Sequence, residues 1–167
     1  MSKPSIYLAS PLGFAESTRA FMQHLAAGLS AYVTVINPWD DQRFAVEFIA
    51  LEAENDWSRR RGRLAEINAE LGRANAASID RADGLIAVLD GVDVDSGTAA
   101  EIGYAAAKGK FIAGLRTDFR LAGDNHGSLV NLQVEYFIAS SGGQVVTTVE
   151  DLLAIARRFA DSRAGRP

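Results

Sequence analysis

Five short apolar runs alternate along the chain with longer stretches in which apolar positions recur every three or four residues. Ser5–Ala9 (SIYLA), Tyr32–Asn37 (YVTVIN), Gly84–Leu89 (GLIAVL), Lys110–Leu115 (KFIAGL) and Gln144–Thr147 (QVVT) predict strands. The third and fourth are continuously apolar, the pattern of parallel strands covered on both faces. Between them, Phe14, Phe21, Leu25 and Leu29 fall at helical spacing, as do Phe44, Phe48 and Leu51, and then Leu64, Ile67 and Leu71 with Ile79 beyond. The basic run Ser58–Arg63 predicts a solvated helix start. Ser96–Lys108 predicts a helix of small residues, with Ser96 as its N-cap and Gly109 as its C-cap. A last helix opens on Thr148–Asp151, a capping box with Asp in place of Glu, and carries Leu152, Leu153, Ile155 and Phe159.

Strand–helix alternation of this kind predicts a doubly wound parallel sheet with helices on both faces. Five strands favour the flavodoxin-like order 2-1-3-4-5, with the ligand crevice between the C-terminal ends of strands 1 and 3. Residues 1–161 are expected to form one domain, and 162–167 a frayed tail. The crevice directs attention to Ala9–Ala15 and Asp90–Glu101.

Composition narrows the picture. The 167 residues carry 17 Lys and Arg against 21 Asp and Glu, a net charge of −4, which argues against a nucleic-acid partner. No cysteine is present, which excludes disulfides and thiol chemistry and fits a reducing, cytoplasmic setting. The opening MSKPSIYLASPLG does not resemble a secretory leader, and no apolar run is long enough for a membrane span.

In the crevice, Asp90, Asp93 and Asp95 precede a helix N-terminus and are expected to act as electrostatic caps. Asp90–Glu101 has the length of a calcium loop, but Val92, Val94 and Asp95 stand at the third, fifth and sixth positions, where such a loop needs oxygen ligands and then glycine. Glu101 is the only charged side chain between Ser96 and Lys108, and Tyr104 and Ala105 stand where a pairing cation would sit. Gly97 and Thr98, one turn earlier, leave room above it, so it is a candidate site residue beside a surface-glutamate reading. Tyr7, inside strand 1, is a core residue whose hydroxyl needs a partner. His24 and His126 have no metal-ligand spacing, and no dinucleotide, P-loop, hydrolase-elbow or zinc-protease motif occurs.

With IYLASPL on strand 1, RADGLIAVLDG on strand 3, DSGTAAEIGYAAAKGK after it, and RTDFRLAGDN and VNLQVEYFI beyond, the chain resembles the nucleoside 2-deoxyribosyltransferase family over about residues 5–139. The resemblance implies transfer of 2-deoxyribose from one nucleobase to another, with no metal or cofactor. It implies Glu101 as nucleophile, Tyr7 as the tyrosine orienting it, and Asp95 as the aspartate on the sugar hydroxyls. Ser10 and Gly97 become substrate-binding positions, and Asn131 matches an asparagine that reaches the 5′-hydroxyl from a neighbouring subunit, which implies a homo-oligomer. Asn75 stands where many members have an aspartate that protonates the base, leaving Asp80 as a nearby substitute. Independently of the resemblance, a carboxylate beneath C1′ suits this chemistry, because breaking an N-glycosidic bond builds positive charge there. Phe14 and Trp39 are positioned to stack on a base or to pack in the core. Two other readings stay open: an N-glycosidase acting on deoxynucleosides or their 5′-monophosphates, and a non-catalytic nucleotide-binding module.

Overall fold

The computed structural model describes residues 3–164. Five parallel strands, β1 (Ser5–Ala9), β2 (Thr34–Ile36), β3 (Gly84–Val88), β4 (Phe111–Leu115) and β5 (Val145–Val146), form one sheet in the order β2-β1-β3-β4-β5. This is the expected topology. The helices are α1 (Glu16–Leu29), α2 (Ala45–Glu52), α3 (Trp57–Arg81), α4 (Ser96–Ala107), α5 (Leu132–Ser140) and α6 (Val149–Ala164).

Strand alternation divides the core into two layers. Ile6 and Leu8 of β1, Ile86 and Val88 of β3 and Leu115 of β4 pack with Leu25 and Leu29 of α1 and Leu152 and Phe159 of α6. Tyr7 and Ala9 of β1, Leu85 and Ala87 of β3 and Ile112 of β4 face the other way, against Ile79 of α3, Ile102 of α4 and Val134 and Ile138 of α5. The sheet is therefore doubly wound.

Several boundaries differ from the expected ones. β2 begins at Thr34 because the amides of Tyr32 and Val33 both bond the Leu29 carbonyl, closing α1. β5 is a two-residue edge strand paired only with β4. Lys110 lies outside β4 and donates through Nζ to the Asp80 and Ala82 carbonyls. Phe14 precedes α1, in a 3₁₀ turn that starts at Pro11. Asp95, not Ser96, caps α4: its carboxylate accepts from the Thr98 amide at 2.9 Å. Ser162–Ala164, expected to fray, lie in α6, and 165–167 fall outside the described residues. The Thr148–Asp151 cap is present, with the Asp151 amide donating to the Thr148 hydroxyl at 3.1 Å. Gly109 follows α4 at φ +65, a conformation that favours glycine.

Candidate active site

Because side chains alternate across a strand, Tyr7 is sent to the face that carries α4. It is fully buried, and its hydroxyl donates to Glu101 Oε1 at 2.6 Å. Glu101 stands on the second turn of α4, flanked by buried Thr98, Ile102 and Ala105. From the last two turns of α3, Asn75 Nδ2 also donates to Oε1, at 3.4 Å. Two neutral donors thus converge on one carboxylate oxygen, while Oε2 accepts no hydrogen bond among the described residues. No Lys or Arg pairs with this carboxylate there either.

Burial pushes the Glu101 carboxyl above the usual carboxylate range, and the nearby Asp95 charge adds to the rise; the Tyr7 hydrogen bond opposes it. Tyr7 is pushed up in turn, first by burial and then by the carboxylate it serves, so it stays a protonated donor. A carboxyl whose folded pKa lies above its unfolded one favours folding only while protonated. That contribution is lost as pH rises through the folded value. Glu101→Gln keeps an oxygen for Tyr7 and removes the buried charge. It is therefore expected to raise Tm at neutral pH by about 2–4 °C, a gain that shrinks as pH falls through the raised folded value and is gone below the unfolded one; thermal melts from pH 4 to 8 check this.

A cavity of about 1160 Å³ opens above the Tyr7–Glu101 pair at the C-terminal ends of β1 and β3 and extends past β2. The crevice expected from the topology is there, and Ser10, Asn75, Asp95, Gly97 and Glu101 all line it. One oxygen of Asp95 caps α4 through the Thr98 amide and hydroxyl. The Ser10 hydroxyl accepts from the Leu12 amide, and its carbonyl accepts from Trp39 Nε1 at 2.8 Å. Trp39 lies flat on Gly13, where an added Cβ would fall 1.9 Å from the ring, so only glycine admits it. Phe14 stands edge-on to Trp39 with centroids 4.6 Å apart and is 75% exposed. Both aromatics line the cavity, and Trp39 also packs against the core layer of α1 and α6.

Other expectations are redirected. Asp80 is taken up by Lys108, 2.9 Å away, and by the Tyr104 hydroxyl, and Lys108 holds its carboxyl below the usual range. It lies outside the cavity lining and is no substitute acid there. Asp90 caps nothing; it holds the Thr117 and Asp118 amides at the end of β4. Asp93 bonds the amide of its neighbour Val94. Asn131 is the N-cap of α5, accepting from the Gln133 amide, and does not line its own chain's cavity. His24 and His126 are exposed. Arg63, in the basic run, pairs with Glu47, Glu66 and Glu70 at 2.5, 2.8 and 3.6 Å, so part of that run ties α2 to α3.

Some lining residues were not anticipated. Asn68 and Leu71 fall seven and four residues before the expected Asn75 on α3 and share its cavity face; a second asparagine on the same otherwise apolar stripe is the available signal. Phe44 and Phe48, expected as a helix's apolar core face, line the cavity, and no residue of α2 is buried. Arg19 and Gln23 reach it from α1. Among the described residues no group of three His, Asp or Glu is arranged to hold a metal ion, and no helix is long and apolar enough to cross a membrane.

The family model for nucleoside 2-deoxyribosyltransferase matches residues 6–133. An uncharacterized protein of Schizosaccharomyces pombe is 36% identical over 123 residues, 71% of this chain and 52% of the yeast protein. The chain thus spans about half the length of the curated relative it matches. A conserved protein from Enterococcus faecalis V583 shares 27% identity and a TM-score of 0.65, covering 95% of this chain and 99% of that one. A 2-desoxiribosyltransferase from Leishmania mexicana has a TM-score of 0.63 at 24% identity, over 93% of this chain and 97% of that one, a likeness of fold.

Proposed function

The chain belongs to the nucleoside 2-deoxyribosyltransferase family, and from that premise we propose that it moves 2-deoxyribose between nucleobases through a covalent deoxyribosyl–Glu101 intermediate. The observation that carries this reading is the 2.6 Å Tyr7–Glu101 bond at the floor of the cavity, which occupies one carboxylate oxygen and leaves the other free. In the first displacement Oε2 bonds to C1′ while the C1′–N bond breaks. The electron pair leaves with the base, which takes a proton from solvent. In the second, a nitrogen of the incoming base attacks C1′, releases its proton to solvent, and restores the carboxylate. Asp95 holds a sugar hydroxyl with the oxygen its cap leaves over, Ser10 and Gly97 shape the sugar's seat, and a seated base keeps water from C1′. The chemistry calls for no metal or cofactor.

The charge of the lining favours uncharged 2′-deoxynucleosides over nucleotides. Arg19 is its one cation among the described residues, against Asp40, Asp41, Asp95 and Glu101. A phosphate recruits arginine forks or helix amides, and would meet mainly carboxylates here. Incubation with thymidine and adenine, followed by chromatography, tests the reading. New deoxyadenosine supports transfer; free thymine with deoxyribose indicates a glycosidase, and no product indicates a binding module.

Partners of this reading are further copies of the chain. Val130, Val134 and Ile138 are buried, but Leu132 and Tyr136 on the other side of α5 are 53% and 63% exposed, and Phe119 and Leu121 before it are 95% and 68% exposed. The segment is therefore not a buried core helix, and the exposed apolar face that Leu132 and Tyr136 share one turn apart suits a subunit contact. Asn131 adjoins that face as the N-cap of α5, its amide nitrogen left over by the cap and available to a neighbour's substrate.

Asp95→Ala is expected to raise KM and lower kcat together, by about 10–100-fold in kcat/KM, and Tyr7→Phe to lower kcat by less, since one hydrogen bond goes and the ring stays. Negligible effects of both, in steady-state kinetics, would remove these two roles. Asn75→Asp puts a second carboxyl within reach of Glu101, and two such groups cannot both ionise readily. The variant is expected to hold a proton near neutral pH, raise kcat for poor leaving bases a few-fold, and turn the pH profile bell-shaped. An unchanged profile would mean that base protonation does not limit the rate.

A further inference from the structure

Arg116, the residue after β4, is 3% exposed, and its guanidinium reaches no carboxylate among the described residues within hydrogen-bond distance. It donates instead to three carbonyls: Leu89, Gly91 at 3.0 Å and Arg120 at 2.8 Å. Two of these belong to the turn that leaves β3 and leads to Asp95. From that same turn Asp90 reaches back, accepting from the Thr117 amide at 2.6 Å, the Asp118 amide at 2.9 Å and the Thr117 hydroxyl at 2.5 Å. A cation after β4 thus grips the backbone after β3, and an anion after β3 grips the backbone after β4. The Asp118 carboxylate is the neighbouring negative group, held below the usual carboxylate range by its hydrogen bonds from Arg120 and, to a smaller extent, by the Arg116 charge.

Stability alone does not account for this arrangement. A desolvated guanidinium satisfied by carbonyls is often no better than an apolar side chain of similar volume. What it does supply is fixed geometry, because a planar fork bonded at three points allows little rotation. Gly91, at φ +137, sits inside the braced turn, with the Asp93 carbonyl 3.0 Å from where its Cβ would be. Four residues on, the chain arrives at Asp95, whose carboxylate both caps α4 and lines the cavity. We infer that Arg116 and Asp90 form a reciprocal brace that positions Asp95, making Arg116 a positioning residue for the sugar-binding side of the site. The role of Asp95 rests on the function proposed above; the brace itself does not.

The experiment pairs kinetics with hydrogen exchange on the full chain. Arg116→Lys retains the charge and loses the fork, and Asp90→Ala loses the other half of the brace; Asp90→Asn keeps an oxygen for the amides and serves as the conservative rescue. In the two disruptive variants, mass spectrometry is expected to find faster deuterium uptake in peptides spanning 89–98 and 116–121, with 5–9 unchanged and cooperative melting retained. KM for the deoxynucleoside rises about tenfold with a smaller change in kcat, and Asp90→Asn returns toward wild type. Combined with Asp95→Ala, the loss from Arg116→Lys is strongly less than additive, whereas with Tyr7→Phe it adds. Unchanged uptake in 89–98 overturns the brace, and full additivity with Asp95→Ala overturns its action through that residue. If wild-type protein exchanges no bases, the function proposed above fails, and the uptake measurement still decides the brace.

Discussion

Replacing Glu101 by alanine is expected to lower base exchange by about four or more orders of magnitude in a protein that still folds, because the substitution removes the nucleophile and no packing element. The physical basis is local. Tyr7 and Asn75 both donate to Oε1, so the carboxylate is held by its neighbours and not by a counter-ion. Loss of the carboxylate frees Tyr7 to bond water in the cavity and relieves a buried charge, so stability should not fall. Initial rates with thymidine and adenine measure the loss. Intact-mass spectrometry of wild-type protein with a deoxynucleoside and no acceptor is expected to show a deoxyribosyl adduct, absent in Glu101→Ala. A folded variant with more than about a tenth of the wild-type rate would show that the carboxylate is not the nucleophile.

The second large effect concerns assembly. Asn131→Ala would confuse two roles, because the side chain caps α5 and such a loss costs about 1 kcal/mol. Asn131→Asp keeps the cap oxygen and removes the amide donor, so it separates helix stability from substrate contact. It is expected to cut kcat/KM by about 100-fold or more with an unchanged melting curve, a charged acceptor replacing a donor at the 5′-hydroxyl. Mixed with Glu101→Ala under conditions of subunit exchange, it should recover up to about a quarter of wild-type activity. Half of randomly formed dimers are hybrids, and each hybrid carries one intact site and one doubly broken one. A mixture that exchanges subunits and stays inactive refutes the shared site.

Much of the molecule is legible in its sequence. Strand and helix periods follow from which residues can be buried, a local property, so the five strands, the 2-1-3-4-5 order and the crevice position emerge as the alternation of GLIAVL-type runs with helical stripes implies. Glu101 stands out for an equally local reason, since an uncompensated charge on a small-residue helix needs an explanation wherever the helix lies. Tyr7 was assignable to one sheet face by alternation, but not to a partner 94 residues away.

Tertiary structure decided the rest, because each remaining question turned on which of several chemically equal groups arrives first. Asp90, Asp93 and Asp95 look alike as acidic residues before a helix. Only packing of the two loop ends made Asp90 a backbone clamp and Asp95 the cap. Asp80 and Asn75 lie close in sequence on α3, but helical geometry turns Asn75 toward Glu101 and Asp80 toward Lys108. Phe44 and Phe48 have a core-like spacing, yet α2 rests over the cavity with no residue buried, so the same pattern lines a site. Periodicity reports that a face is apolar, and what covers that face is settled by elements distant along the chain.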